Sequence, residues 1–131
     1  MKSTSKFLTT SVIFFALTFS ASPSRSQSVN SCLELARTDR NAANKIIGLG
    51  RAKNLARQAA EAANGGLNNY RAENSMHGTV NEIPCTDNGN GSWTFTFKGT
   101  APGSTTPIVE SVVTVDSQTF KVTVDRNTPL R

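Results

Sequence analysis

The stretch SWTFTFK at residues 92–98 decides the fold. It alternates strictly between the aromatic residues Trp93, Phe95 and Phe97 and residues that are polar. Because successive side chains of a β-strand point to opposite faces of the sheet, one face of this strand is wholly aromatic. The pattern predicts a half-buried strand, and apolar residues elsewhere in the chain are expected to cover its aromatic face.

Residues 1–28 have the pattern of a secretory signal peptide. Lys2 and Lys6 precede an apolar run of 13 residues at 7–19, and small residues follow it. The run is shorter than the ~20 residues that a membrane-spanning helix needs. Cleavage after Ser26 or Ser28 is therefore expected, and an uncleaved membrane anchor is the alternative.

The leader also changes the charge of the chain. The full sequence has 14 basic and 9 acidic residues, a net charge of +5. Lys2, Lys6 and Arg25 lie in the leader, so the mature chain keeps 11 basic and 9 acidic residues, a net charge of +2. A nucleic-acid-binding protein needs a clustered basic surface, which this balance does not favour. We expect a secreted or periplasmic protein with an envelope or extracellular partner of unknown identity, no nucleic-acid partner and no stable membrane span after cleavage.

The two cysteines, Cys32 and Cys85, are predicted to form a disulfide. Export leads to an oxidising compartment, and one pair of cysteines allows one intramolecular bridge. The chain-entropy model gives a bridge that closes a loop of this length about 4 kcal/mol of stabilisation. A catalytic thiol is disfavoured, because a reactive cysteine needs a nearby base and His77 is the only histidine.

Residues 31–64 have helical periodicity. Ser31 and Glu34 have the spacing of a capping box at its start, and Asn64 is followed by two glycines at its end. The apolar face rotates at residues 48–50 (GLG), where two glycines weaken the helix. The sequence therefore predicts one long helical segment with a bend or short break at these glycines.

Residues 79–126 have the composition of an antiparallel sheet. The fold class is predicted to be α+β, with the bent N-terminal helical segment on one face of a β-meander of about four strands, in a single domain at 29–131. Residues 126–131 are expected to form a tail. The predicted strands lie at 79–85, 92–98, 107–115 and 118–125.

No catalytic or metal-binding constellation is evident. A zinc site needs three or four ligands, and His77 is a lone histidine beside a predicted disulfide pair. No nucleophile motif and no phosphate-binding glycine loop is present. The expectation is a non-enzymatic protein without cofactor or metal.

Three regions are candidate contact surfaces. Arg37, Arg40 and Arg51 share one side of the predicted helix and could bind an anion, or could form an ordinary solvated face. Tyr70, Arg71 and His77 lie in or near loops that could contact a partner, and residues 99–106 form a second loop. The predicted function is a small exported binding module. The alternative is a secreted inhibitor or effector that presents a loop to a partner enzyme.

Overall fold

A computed structural model describes residues 30–131, so the predicted leader and its predicted cleavage sites lie outside the described residues. The fold is α+β: two helices pack on an antiparallel sheet of five strands. The elements in chain order are α1 (Ser31–Thr38), α2 (Ala42–Ala63), β1 (Arg71–Ala72), a 3₁₀ helix (Asn74–Met76), β2 (Cys85–Asp87), β3 (Ser92–Thr100), β4 (Pro107–Asp116) and β5 (Val122–Pro129).

The aromatic strand β3 is the centre of the sheet. β4 pairs antiparallel with one edge of β3, and β5 pairs with β4; together with β2, which pairs with the other edge of β3, these strands form the predicted four-stranded meander. The short strands β1 and β2 share the other edge of β3, at its C-terminal and N-terminal ends respectively. The sheet has one strand more than the four predicted: residues 70–73, which the sequence left open between a short strand and a loop, contain β1.

The aromatic face of β3 forms the core, as predicted. Trp93, Phe95 and Phe97 are at most 3% exposed. They pack in one cluster with the small buried residues of α2, which allow the helix to approach the sheet closely. The helix residues in question are Ala52, Ala56 and Ala60.

The predicted helix start at Ser31 is confirmed, but the predicted capping residue and the predicted position of the helix break are wrong. Asn30, and not Ser31, caps α1: its Oδ1 accepts from the backbone N–H of Leu33 at 3.2 Å, while Ser31 Oγ accepts from the N–H of Asp87 at 2.9 Å. The break lies between Thr38 and Ala42, where Asp39 Oδ1 accepts from the next-but-one backbone N–H at 2.8 Å. A short Asp side chain satisfies the backbone there in a non-helical conformation.

The helix α2 continues without interruption through Gly48 and Gly50. Gly48 faces the rings of Trp93 and Phe120, and a Cβ at this position would lie 3.6 Å from each. Packing against these rings offsets the low helix propensity of glycine, so tertiary contacts decide the local structure. The apolar face rotates at residues 48–50 because Gly48 packs against these two rings, and the helix does not break there.

Phe120 and the last strand also differ from the prediction. Phe120 was expected to face inward as a residue of the strand at 118–125; it packs against the core, but from the turn before β5, where its φ is 59°. β5 runs on to Pro129 through residues expected to form a tail, because β4 is long enough to pair with them. A bulge at Asp125 separates the two halves of this ladder, since Val113 pairs with Val124 and Val112 pairs with Arg126.

The predicted disulfide between Cys32 and Cys85 is present. It joins the first turn of α1 to β2, and the two Cα atoms are 5.7 Å apart, within the usual range for a bridge. The predicted strand at 79–85 is reduced to its end: residues 79–84 are irregular and β2 begins at Cys85. Within residues 30–131, no helix is both long and apolar enough to cross a membrane.

Candidate anion-binding cleft

A cleft of about 530 Å³ lies where β1 pairs with the C-terminal end of β3. Two loops line this cleft together, one containing His77 and one at residues 99–106. The sequence had indicated them as two separate candidate contact surfaces. Most of the lining residues are polar. They are Arg71, Ala72, Glu73, Asn74, His77, Lys98, Gly99, Thr100, Gly103, Ser104, Thr105 and Pro107.

The contact between Tyr70 and Gly99 sets the position of β1 beside β3. Tyr70 is 1% exposed, and a Cβ built on Gly99 would lie 2.0 Å from its Cε2 atom and 2.1 Å from its Cζ atom. Only glycine lets the ring lie this close to the strand backbone. Tyr70 is therefore a buried support of the cleft, and not the exposed loop contact expected from the sequence.

The phenol of Tyr70 lies in an apolar and acidic environment. Burial raises its pKa above the ordinary value, and the carboxylates of Glu61 and Glu73 add to the increase. A hydrogen bond from the hydroxyl of Ser111 would lower the pKa of Tyr70. This hydroxyl instead donates to Asn127 Oδ1 at 2.7 Å. The Tyr70 hydroxyl has no hydrogen-bond partner of ordinary geometry within residues 30–131.

Glu73 closes the edge of β3 in the gap between β1 and β2. Its backbone N–H donates to the carbonyl oxygen of Lys98 at 2.9 Å, and its Oε1 accepts from the N–H of Lys98 at 3.1 Å. The carboxylate thus replaces the carbonyl of a neighbouring strand. One oxygen of the only acid in the cleft is therefore occupied by the protein backbone.

His77 connects α2 to β1 at the rim of the cleft. Its Nδ1 lies 2.8 Å from Nη1 of Arg57, and its Nε2 lies 3.1 Å from the carbonyl oxygen of Ala72. A guanidinium can only donate and a carbonyl can only accept, so this network assigns the neutral ring with its proton on Nε2. Both ring nitrogens are occupied, and His77 acts here as a structural link.

Arg71 and Lys98 give the cleft its charge. Both side chains are exposed, and neither forms an ion pair within residues 30–131. Glu73 supplies the only negative charge of the lining, and one of its carboxylate oxygens already accepts a hydrogen bond from the backbone. Two cations therefore face a single carboxylate. The hydroxyls of Thr100, Ser104 and Thr105 add hydrogen-bond donors at the same place.

The predicted arginine strip does not lie on one helix. Arg37 is on α1, Arg40 is in the connection between the helices, and Arg51 is on α2. Arg37 forms an ion pair with Glu34 at 3.4 Å and donates to Asn81 Oδ1 at 3.2 Å. The guanidinium carbon of Arg51 lies 4.2 Å from the centroid of the Phe120 ring. The single-helix premise of the strip is wrong, and two of its three arginines already have partners.

Two basic side chains of α2 that support the cleft region were not identified from the sequence. Lys53 is 6% exposed and its Nζ donates to the carbonyl oxygen of Gly78, while Arg57 contacts His77. Burial lowers the pKa of Lys53, and the charge of Arg57 lowers it further. Their positions in the sequence could have identified them: Lys53 follows the inward-facing Ala52, and Arg57 follows the inward-facing Ala56. Both basic residues therefore lie at the border of the buried face of α2.

No group of three or more potential metal ligands is found in the part of the chain that the structure describes. Comparisons with protein-family models, with curated proteins and with solved structures find no match to this chain. The function proposed below consequently rests on the geometry and charge of the cleft.

Proposed function

We propose that this protein is a small, non-catalytic binding module of the cell envelope or the extracellular medium. In this proposal Arg71 and Lys98 bind an acidic group of the partner in the cleft. The observation that carries it is the charge imbalance: two exposed cations face the same cleft as one carboxylate that the backbone already holds. A guanidinium and an ammonium are the usual protein ligands of carboxylate, sulfate and phosphate groups.

The geometry also supports recognition of one end or side group of a larger ligand. The cleft lies at an edge of the sheet beside the exposed residues 102–106, so an extended chain could continue past it. Contacts of exposed charges contribute only ~0.2–1 kcal/mol each and are screened by salt. We therefore expect weak binding at a single site, and stronger binding to a polymer that repeats the acidic group.

Export is part of the proposal. It is supported by the disulfide between Cys32 and Cys85, which is a bond typical of oxidising compartments, and by the signal-peptide pattern of residues 1–28. Mass analysis of the protein recovered outside the cytoplasm should give an N-terminus at Gln27 or Val29. A chain that starts at Met1 there would contradict export with cleavage.

The test of the binding site is a pair of charge variants with equal loss of charge. Arg71→Gln/Lys98→Gln removes the two cations of the cleft, and Arg40→Gln/Lys45→Gln removes one arginine and one lysine from exposed positions near the start of α2. Binding of hexaglutamate and of inorganic sulfate is measured by calorimetry at low and high salt. We expect the cleft variant to lose binding and the control variant to retain it.

Equal losses in the two variants would mean that only the overall charge of the protein attracts anions. Full retention by the cleft variant would refute the proposed site. The alternative function, presentation of the loop at residues 99–106 to a partner enzyme, predicts a different result: one protein is retained stoichiometrically from an extract of the source cells, and the Arg71→Gln/Lys98→Gln variant retains it equally well.

A further inference from the structure

The two outer edges of the sheet differ in length: the short strands β1 and β2, of two and three residues, form one edge, and β5, of eight residues, forms the other. The outer edge of β3 is closed along its length by β1, by Glu73 and by β2, and the backbone N–H of Thr96 donates to Pro84 at 3.2 Å. The outer edge of β5 pairs with no strand of residues 30–131. An unpaired edge of this kind is a template for another strand.

The ladder between β4 and β5 shows which backbone groups face outward. The N–H of Asp116 donates to the carbonyl oxygen of Lys121 at 2.9 Å, so Lys121 points its backbone groups toward β4. Since these directions alternate along an antiparallel strand, Thr123 also points toward β4, and Val122 and Val124 point their N–H and C=O groups to the open edge.

The second half of β5 is protected against pairing. After the bulge at Asp125 the N–H of Leu130 donates to Ile108 at 2.8 Å, which turns the backbone groups of Asn127 and Pro129 to the open edge. Proline has no N–H to donate, and a bulge interrupts a regular ladder. The part of the edge that remains competent for pairing is Val122–Val124.

One positive and one negative residue flank the segment Val122–Val124, so this segment is complementary in charge to a second, antiparallel copy of itself. Lys121 and Asp125 are both exposed, and both lie on the sheet face that carries Thr123, since Asp125 accepts from Thr114 Oγ1 on that face at 2.6 Å. Neither forms an ion pair within the described residues. If two copies pair antiparallel with Thr123 opposite Thr123, each Lys121 lies opposite Asp125 of the other copy.

We propose that the protein forms a symmetric dimer in which Val122–Val124 pairs with the same segment of a second copy. In this register Val122 of each copy lies opposite Val124 of the other, and all four residues have their backbone groups available. Two Lys121–Asp125 pairs flank the centre and fix the register. The dimer joins two sheets at β5, so the two clefts lie at opposite ends of the joined sheet.

The contact is small, so the dimer is expected to be weak and to depend on concentration and salt. Sedimentation equilibrium of the mature protein should show a monomer–dimer equilibrium that shifts to dimer as concentration rises. Thr123→Lys places two like charges opposite each other at the two-fold axis and should raise the dimer dissociation constant by about tenfold or more. Thr128→Lys is the matched control, because it is the same substitution on the same strand and face but lies beyond the bulge.

A mixing experiment tests the register itself. Lys121→Asp alone and Asp125→Lys alone each create two like-charge pairs and should both be monomeric, while an equal mixture should form a heterodimer because both pairs are restored in trans. Circular dichroism confirms that each variant is folded. A wild type that stays monomeric up to millimolar concentration, equal effects of Thr123→Lys and Thr128→Lys, or no heterodimer in the mixture would each overturn the proposal.

Discussion

The substitution Gly99→Ala tests the contact that positions β1 and the cleft. A Cβ at this position would lie 2.0 Å from Cε2 of Tyr70, whereas ordinary contacts of a Cβ begin at about 3.4 Å. The ring would have to retreat by about 1.4 Å, and it is 1% exposed, with buried residues around it. Overpacking in a core costs ~1–3 kcal/mol, and expulsion of a buried aromatic ring costs ~3–5 kcal/mol. We expect Gly99→Ala to destabilise the protein by about 3 kcal/mol.

The assay is urea unfolding monitored by the fluorescence of Trp93, the only tryptophan. A double-mutant cycle with Tyr70→Ala isolates the contact, because the added methyl group should cost little once the ring is absent. A loss below about 0.5 kcal/mol in Gly99→Ala, or an equal loss with and without the Tyr70 ring, would refute this account of the contact.

Three further predictions concern the helix, the core and the phenol. Gly48→Ala should stabilise the protein by up to ~1 kcal/mol in the same unfolding assay, because its Cβ meets Trp93 and Phe120 at an ordinary 3.6 Å and the helix gains propensity. Trp93→Ala should cost ~3–5 kcal/mol, while Thr96→Ala on the exposed face of the same strand should change stability by less than ~0.5 kcal/mol. Absorbance at 295 nm should show that Tyr70, the single tyrosine, titrates above its ordinary pKa in the folded protein and at its ordinary pKa in denaturant. The folded state therefore binds the phenol proton more tightly than the unfolded state. This contribution to the free energy of unfolding is complete below the unfolded pKa and is lost as pH rises through the folded pKa.

The aromatic strand and the disulfide could be predicted because each depends on a simple rule. Strict alternation at residues 92–98 has one interpretation as a strand, and two cysteines in a chain that is predicted to be exported have one possible intramolecular pairing. Both predictions are confirmed, at β3 and at Cys32–Cys85.

The helix break could not be placed from propensities alone. Two glycines within three residues indicate a weak point, but the rings of Trp93 and Phe120 pack against Gly48 and keep α2 continuous. The position of Phe120 in turn depends on its φ of 59°, a conformation that large side chains rarely adopt. Neither the contact nor the conformation leaves a local pattern in the sequence.

The cleft was predicted only as separate loops, because the pairing that joins them is very short. β1 pairs with β3 through two residue pairs, Arg71 with Thr100 and Ala72 with Gly99. Two residues are too few to produce a periodic pattern, so their partner strand could not be inferred. Lys98 was interpreted only as part of the polar face of β3, and its place in the lining of the cleft follows from this pairing.

The most direct test of the proposed function is a titration of ¹⁵N-labelled mature protein with hexaglutamate, followed by two-dimensional NMR. The account predicts that the backbone amides of Arg71, His77, Lys98 and residues 100–105 shift together with one dissociation constant. It also predicts that these shifts disappear in Arg71→Gln/Lys98→Gln and persist in Arg40→Gln/Lys45→Gln. Shifts confined to the surroundings of Arg37 and Arg51, or no saturable shifts at all, would contradict the assignment of this cleft as the binding site.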